Sequence, residues 1–152
     1  MGIQINKRKD RAFGGRSSSK SSNLYLNFLI KIYRFLSRRT NAKINQTILR
    51  RLVMSRKNQP SVSLSRLLRY SAKNKRKVMV IVGKVLNDER ILFLPKISVC
   101  ALRISTVARE RILKAGGQVF TFDQFAKDHP VGTNSVLVRG PKSKKLRSKI
   151  SK

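Results

Sequence analysis

The sequence predicts a mixed α/β fold: a compact core of short strands alternating with short helices, preceded by basic helices and flanked by extended basic N- and C-terminal arms. Three observations carry this. Apolar residues between positions 24 and 68 recur at helical spacing, whereas from 78 to 138 short β-branched runs alternate with short helical patterns. The positive charge sits outside that second region. Residues 1–77 hold 21 Lys+Arg against one acid, residues 78–140 hold nine against five, and residues 141–152 hold six against none. The hydrophobic fraction of 40% is enough for a core, and 152 residues allow one domain with extensions or two very small ones.

Residues 1–22 carry Gly14-Gly15, serines 17–19 and few apolar anchors, with Lys7, Arg8, Lys9, Arg11 and Arg16 among their cations. Such a segment cannot offset its ordering entropy and is expected to stay disordered until bound. The spacing then predicts a helix over 24–39, with Tyr25, Phe28, Leu29, Ile32 and Leu36 on one face. Lys31, Arg34 and Arg38 share another face, followed by Arg39. A second helix starts near Asn45, with Ile48, Leu49, Leu52 and Val53 inward and Arg50, Arg51 and Arg56 outward, and Pro60 ends the stretch. Ser63 fits an N-cap for a short helix with Leu64, Leu67 and Leu68 inside and Arg66 and Arg69 outside. Residues 71–77, including Lys75, Arg76 and Lys77, read as a basic loop.

In the middle region, residues 78–82 form a continuous, largely β-branched run, expected to be a buried strand ending at Gly83. Asn87-Asp88 marks a turn, residues 90–94 a second strand stopped by Pro95, and residues 97–104 a third strand or an approach to one. Residues 106–115 read as a helix with Val107, Ile112 and Leu113 inward, stopped by a left-handed residue at Gly116-Gly117. Val119-Phe120 is a short strand. Thr121 and Gln124 have capping-box spacing and open a helix carrying Phe122, Phe125 and Ala126. Residues 136–138 are the last strand. The expected divisions are thus an arm at 1–22, a basic helical region at 23–77, a core domain at 78–140 and a second arm at 141–152 with Lys142, Lys144, Lys145 and Arg147.

The same residues exclude several classes. One cysteine, Cys100, permits no intramolecular disulfide framework and no Cys-rich zinc site; in its apolar setting it reads as an inert core residue. The six acids, Asp10, Asp88, Glu89, Glu110, Asp123 and Asp128, are scattered over different elements, so no pair of metal ions is held. Asp123 lies where the first turn of a helix stabilises a carboxylate, and His129 lies in a loop before Pro130. Gly83-Lys84 follows a strand, but a phosphate-binding loop needs Gly at 78 and Ser/Thr at 85, where Val78 and Val85 stand. The expectation is a protein that is not an enzyme, with no cofactor, no metal and no small-molecule substrate. The longest apolar stretch, 24–36, is interrupted by Asn27, Lys31 and Arg34, so no membrane span is expected, and no secretory signal is present. Gly2 lacks the Ser/Thr at position 6 that myristoylation uses, since Asn6 stands there. An acid-poor, Arg-rich N-terminus also fits an organelle transit peptide.

A net charge of +30 opposes compaction, so the natural state is one neutralised by a polyanion. Helical arginines suit phosphate oxygens because the guanidinium fork binds them in pairs. Tyr25, Tyr33 and Phe35 either pack in the core or stack on unpaired bases. Charge alone does not separate RNA from DNA, and no spacing singles out a helix-turn-helix recognition helix.

Four blocks in order resemble the eukaryotic and archaeal large-subunit ribosomal protein family L-eighteen-e, which is related to the bacterial L-fifteen proteins. The first is Tyr25-Leu26, Leu29, Lys31 and Tyr33-Arg34-Phe35-Leu36 with Arg38-Arg39-Thr40. The second runs from Asn45-Gln46 through Leu49, Arg51-Leu52, Met54-Ser55-Arg56, Asn58 and Pro60 to Ser63-Leu64-Ser65-Arg66. Gly83, Asp88 and Arg90 make the third. The most telling is Val99-Cys100-Ala101-Leu102-Arg103, continued by Ala108-Arg109, Arg111-Ile112-Leu113, Ala115-Gly116-Gly117 and Thr121-Phe122-Asp123-Gln124. Departures are Gln59 and Ser61, where the family usually has Arg and Pro, and Asn87, where it has Asp. Residues 142–152 alone follow Pro141, where eukaryotic members carry a longer basic tail, so the resemblance is to a C-terminally shortened member.

The resemblance implies an irregular superhelix of ββα units for the middle. It also implies a structural constituent of the 60S-type subunit, packed against large-subunit rRNA through its basic helices and arms and beside neighbouring large-subunit proteins. Its location would be the cytoplasmic ribosome, with a nuclear or nucleolar assembly stage. A chromatin protein or RNA chaperone would share the charge without needing the four blocks.

Overall fold

A computed structural model describes residues 16, 18–74 and 76–141. Of the expected arms, Arg16, residues 18–22 and Pro141 are among the described residues, and the rest lie outside them. Five helices and five strands form three layers: α1 (Leu24–Thr40), α2 (Lys43–Val53), β1 (Val62–Ser63), α3 (Leu64–Lys73), β2 (Val78–Leu86), β3 (Ser98–Ile104), α4 (Thr106–Lys114), β4 (Gln118–Phe120), α5 (Phe122–Asp128) and β5 (Ser135–Val138). A single 3₁₀ turn, Arg56–Asn58, follows α2.

Every strand pairing is parallel. The sheet runs β1-β2-β3-β4, and β5 also pairs with β2. Since β3 occupies one edge of β2, β5 and β1 share the other: β5 meets residues 78–81, and β1 meets Val85 and Leu86. Gly83 sits between these two pairings. A Cβ there would lie 2.9 Å from the Pro60 carbonyl oxygen, so the close approach of the chain entering β1 requires glycine.

A parallel sheet must be covered on both faces, which is why 78–83 are buried without alternation. On one face Val78, Val80, Val82 and Cys100 pack with Leu29, Ile30 and Tyr33 of α1, Ile48 and Leu52 of α2, and Phe122 and Phe125 of α5. On the other, Met79, Ile81, Val85, Val99 and Ala101 pack with Leu64 and Leu67 of α3 and Ala108 and Ile112 of α4. The mixed α/β class is as expected, and the ββα order survives in β2, β3 and α4.

Several expected details differ. Helix α1 buries Leu29, Ile30 and Tyr33, while Tyr25 and Phe28 are exposed. Apolar residues stand at most positions from 24 to 36, so periodicity left two overlapping stripes, and contact with α2 and α5 selects one. Helix α4 turns Ala108 and Ile112 inward and leaves Val107 and Leu113 each 51% exposed. Helix α3 runs on to Lys73, into the stretch read as a loop, because Ser71, Ala72 and Lys73 all tolerate helix. Strand β2 passes through Gly83 to Leu86, since β1 extends its ladder.

The expected strand at 90–94 does not form. Two adjacent parallel strands need a crossover, and residues 87–97 supply it, returning across the sheet face rather than pairing at an edge. Ser63 caps α3 by position, but its Oγ lies 2.9 Å from Ser65 Oγ instead of capping an amide. The capping box of Thr121 and Gln124 is complete, with the Thr121 amide donating to Gln124 Oε1 at 3.1 Å.

Candidate nucleic-acid interface

A groove of about 490 Å³ opens between Arg16 and residues 19–23, the start of α1, the end of α2 with its 3₁₀ turn, and the C-terminal parts of β2 and β3. Its cations come from four places in the chain: Arg16 and Lys20 ahead of α1, Arg56 in the turn, Lys84 on β2 and Arg103 on β3. Ser19, Ser21, Asn23, Ser55 and Gln59 add polar groups, and Leu26, Leu29, Val53 and Leu102 form an apolar floor. No carboxylate lines it among the described residues. A smaller hollow of about 190 Å³ shares Arg16, Val53, Met54 and Ser55 and adds Arg50 and Asn58, extending the basic surface along α2.

Lys84 and Arg103 are register partners on adjacent strands, and both are exposed. Like charges at paired positions of a sheet repel, and no described carboxylate lines the groove to offset this pair. A second crowded pair involves Arg51, whose guanidinium pKa is lowered, first by burial and then by the charge of Arg139. Arg139 itself donates to the Asn58 carbonyl at 3.5 Å.

Of the residues expected to meet RNA, Lys31, Arg34, Arg38 and Arg39 are exposed on α1, and the Arg39 guanidinium lies 5.6 Å from the centre of the Phe35 ring. Arg50, Arg56, Arg69, Arg76 and Lys77 are exposed, and Arg51 and Arg66 are half-buried. Lys7, Arg8, Lys9, Arg11, Lys75, Lys142, Lys144, Lys145 and Arg147 lie outside the described residues. The sequence reading missed Lys20, Lys84 and Arg103. Lys84 and Arg103 interrupt otherwise apolar strands at their C-terminal ends, and that interruption was the available signal.

Tyr33 is fully buried, its hydroxyl donating to the Phe122 carbonyl at 3.0 Å and its ring set edge-on to Phe122, so it stacks on no base. Tyr25 and Phe35 remain exposed, and Tyr25 lines the groove. The groups that might have suggested chemistry are used structurally. Cys100 is buried, and burial pushes its thiol pKa up, away from nucleophilic character. Asp123 accepts from Tyr25, Asp88 accepts from Ser65, and the His129 ring centre lies 5.4 Å from that of Phe125. No group of three or more metal-ligating side chains exists among the described residues, and no described helix is long and apolar enough to cross a membrane.

Fold and site together define a strongly basic α/β protein whose conspicuous surface is a cationic groove, free of carboxylates among the described residues. Residues 2–150 match the family described as "Ribosomal protein 60S L18 and 50S L18e". The chain is 51% identical over 146 residues to the large ribosomal subunit protein eL18 of Aedes aegypti, covering 94% of this chain and 77% of that one. It is 50% identical over 142 residues to the eL18 protein of Drosophila melanogaster, covering 92% and 75%. The chain belongs to this ribosomal protein family, whose members are structural rather than enzymatic.

Proposed function

We propose that the chain is a structural constituent of the large ribosomal subunit that binds and stabilises rRNA through its groove and basic helices. The observation that carries this is the Lys84–Arg103 register pair in a groove without carboxylates: two cations held side by side by the sheet await a shared anion. Phosphates of a folded RNA supply anions at the required density. Beyond this centre, Lys31, Arg34, Arg38 and Arg39 of α1 and Arg50 and Arg51 of α2 take further phosphates, as do Arg66 and Arg69 of α3 on the opposite side of the sheet. The cations of residues 1–22 and 141–152 extend the contact as arms that order on RNA. In this reading 23–77 serves as the basic RNA-facing region and 78–140 as the platform that holds it. Its partners are large-subunit rRNA and neighbouring large-subunit proteins, and its location is the cytoplasmic ribosome after a nuclear or nucleolar assembly stage.

The test is a salt titration of the full chain on large-subunit rRNA fragments, joined to sedimentation of large subunits at high salt. Neutralising roughly 6–10 phosphates lowers affinity by about 10³–10⁵-fold between 50 and 200 mM salt. A flat salt response, or a chain absent from washed large subunits, overturns the reading.

A further inference from the structure

The crossover at 87–97 has an unusual surface. Leu92 and Phe93 are each 89% exposed and adjacent, just past the turn at 88–91, and their flanking residues Ile91 and Leu94 are half-buried against the core cluster that includes α3 and α4 residues. The turn is held from two sides. The Arg111 guanidinium on α4 donates to Asn87 Oδ1 at 2.8 Å, to the Asp88 carbonyl at 2.9 Å and to the Ile91 carbonyl. Ser65 Oγ on α3 donates to Asp88 Oδ2 at 2.5 Å, and Asp88 Oδ1 accepts from the Arg90 amide at 3.2 Å. Two large apolar side chains are therefore presented to water by a fixed scaffold, which lowers the ordering cost of docking them elsewhere.

The charge around the turn points to the kind of partner. Residues 86–97 contain two acids, Asp88 and Glu89, and two bases, Arg90 and Lys96, so this segment is neutral in a chain of net charge +30. A surface shaped for phosphates would not carry two carboxylates beside its contact point. We propose that the Leu92-Phe93 turn is a protein-docking knob, inserted into an apolar pocket on a neighbouring protein of the large subunit, with Glu89, Arg90 and Lys96 at the polar rim. This rests on the ribosomal reading above, and it assigns the Leu92-Phe93 segment to protein and the groove to RNA.

The experiment places a photo-crosslinking phenylalanine analogue at position 93 of the full chain, in cells whose large subunits are then purified. The expected adduct is with one large-subunit protein, survives ribonuclease and collapses on protease treatment. A parallel Leu92→Ser/Phe93→Ser variant should melt like the parent, bind rRNA fragments with the parent's salt dependence, and wash out of large subunits at least roughly tenfold more readily. An adduct destroyed by ribonuclease, no adduct at all, parental retention of the double variant, or a lowered melting temperature would each overturn the proposal. If the unsubstituted chain itself is missing from large subunits, the ribosomal reading has failed instead.

Discussion

The Tyr25 hydroxyl donates a 2.6 Å hydrogen bond to Asp123 Oδ1, tying the first turn of α1 to the first turn of α5 across 98 positions of sequence. The bond holds down the helix end that lines the groove. It also moves both groups. The phenol pKa is pushed up to about 12, chiefly by the hydrogen bond to Asp123, and the Asp123 carboxyl is held below the usual carboxylate range by Thr121 first and Tyr25 second. A depressed carboxylate contributes stability above its unfolded pKa, near 4, and loses it as pH falls through the folded value. A raised phenol contributes fully below about pH 10 and loses it as pH rises toward 12.

Tyr25→Phe should therefore cost about 1 kcal/mol at neutral pH, less than the roughly 1.5–3 kcal/mol of a bond to a charged group because Tyr25 is half-exposed. It should also flatten the stability profile both below pH 4 and above pH 10. Urea denaturation at several pH values checks both limbs. An unchanged profile would mean that the α1–α5 tie carries no stability.

Much of this architecture was readable beforehand, and the failures share a cause. The N-cap position of Ser63, the capping box of Thr121 and the stop after α4 are local signals, fixed by side chains within a few residues of the backbone they serve. The buried face of α1 was not local: Tyr25 and Tyr33 are both aromatic, and only the packing of α2 and α5 decides that Tyr33 goes in. Residues 90–94 look like a strand because Ile91, Leu92, Phe93 and Leu94 form an apolar run. Parallel topology, which no window of sequence reveals, makes them a crossover. The cations of α1, outside the groove, were legible as a helical face, whereas Lys84 and Arg103 inside it acquire meaning once the register of β2 and β3 pairs them.

The two glycines after α4 should respond differently to the same substitution. Gly116 has φ +72° with open space where a Cβ would go, so Gly116→Ala meets only backbone strain, about 1 kcal/mol. At Gly117 a Cβ would overlap the Ile97 carbonyl oxygen and come within 2.9 Å of Ile112 Cγ2, so the start of β4 must shift. Gly117→Ala should cost more, about 1–3 kcal/mol, as overpacking does. Thermal melts of the two variants check the order, and equal melting temperatures would contradict it.

Arg111 serves the fold, holding the crossover to α4. Its three donated bonds fix the crossover, so Arg111→Met should cost on the order of 2 kcal/mol while keeping the aliphatic stem's packing. Limited proteolysis of the free protein should then cut faster within 87–97. Equal cutting rates would show that the Ser65–Asp88 bond and the packing of Ile91 and Leu94 hold the turn without Arg111.

Lys84 and Arg103 should show the opposite pairing of effects, losing affinity without losing stability. The two side chains face each other across the β2–β3 ladder with like charge, a repulsion that costs the free protein up to about 1 kcal/mol at low ionic strength. Lys84→Gln or Arg103→Gln removes it, so either variant should melt at the parental temperature or slightly above. Each should also give up one phosphate contact. For duplex RNA, taking the slope known for double-stranded DNA, that lowers the steepness of log affinity against log salt by about 0.9 per contact. Arg109→Gln, on exposed α4 over the other sheet face, is the comparison, since it lowers net charge equally. Salt titrations of all three variants on one rRNA fragment separate a groove that binds from a charge that merely attracts. If the Arg109 variant changes the slope as much as the groove variants do, Lys84 and Arg103 hold no phosphate of their own.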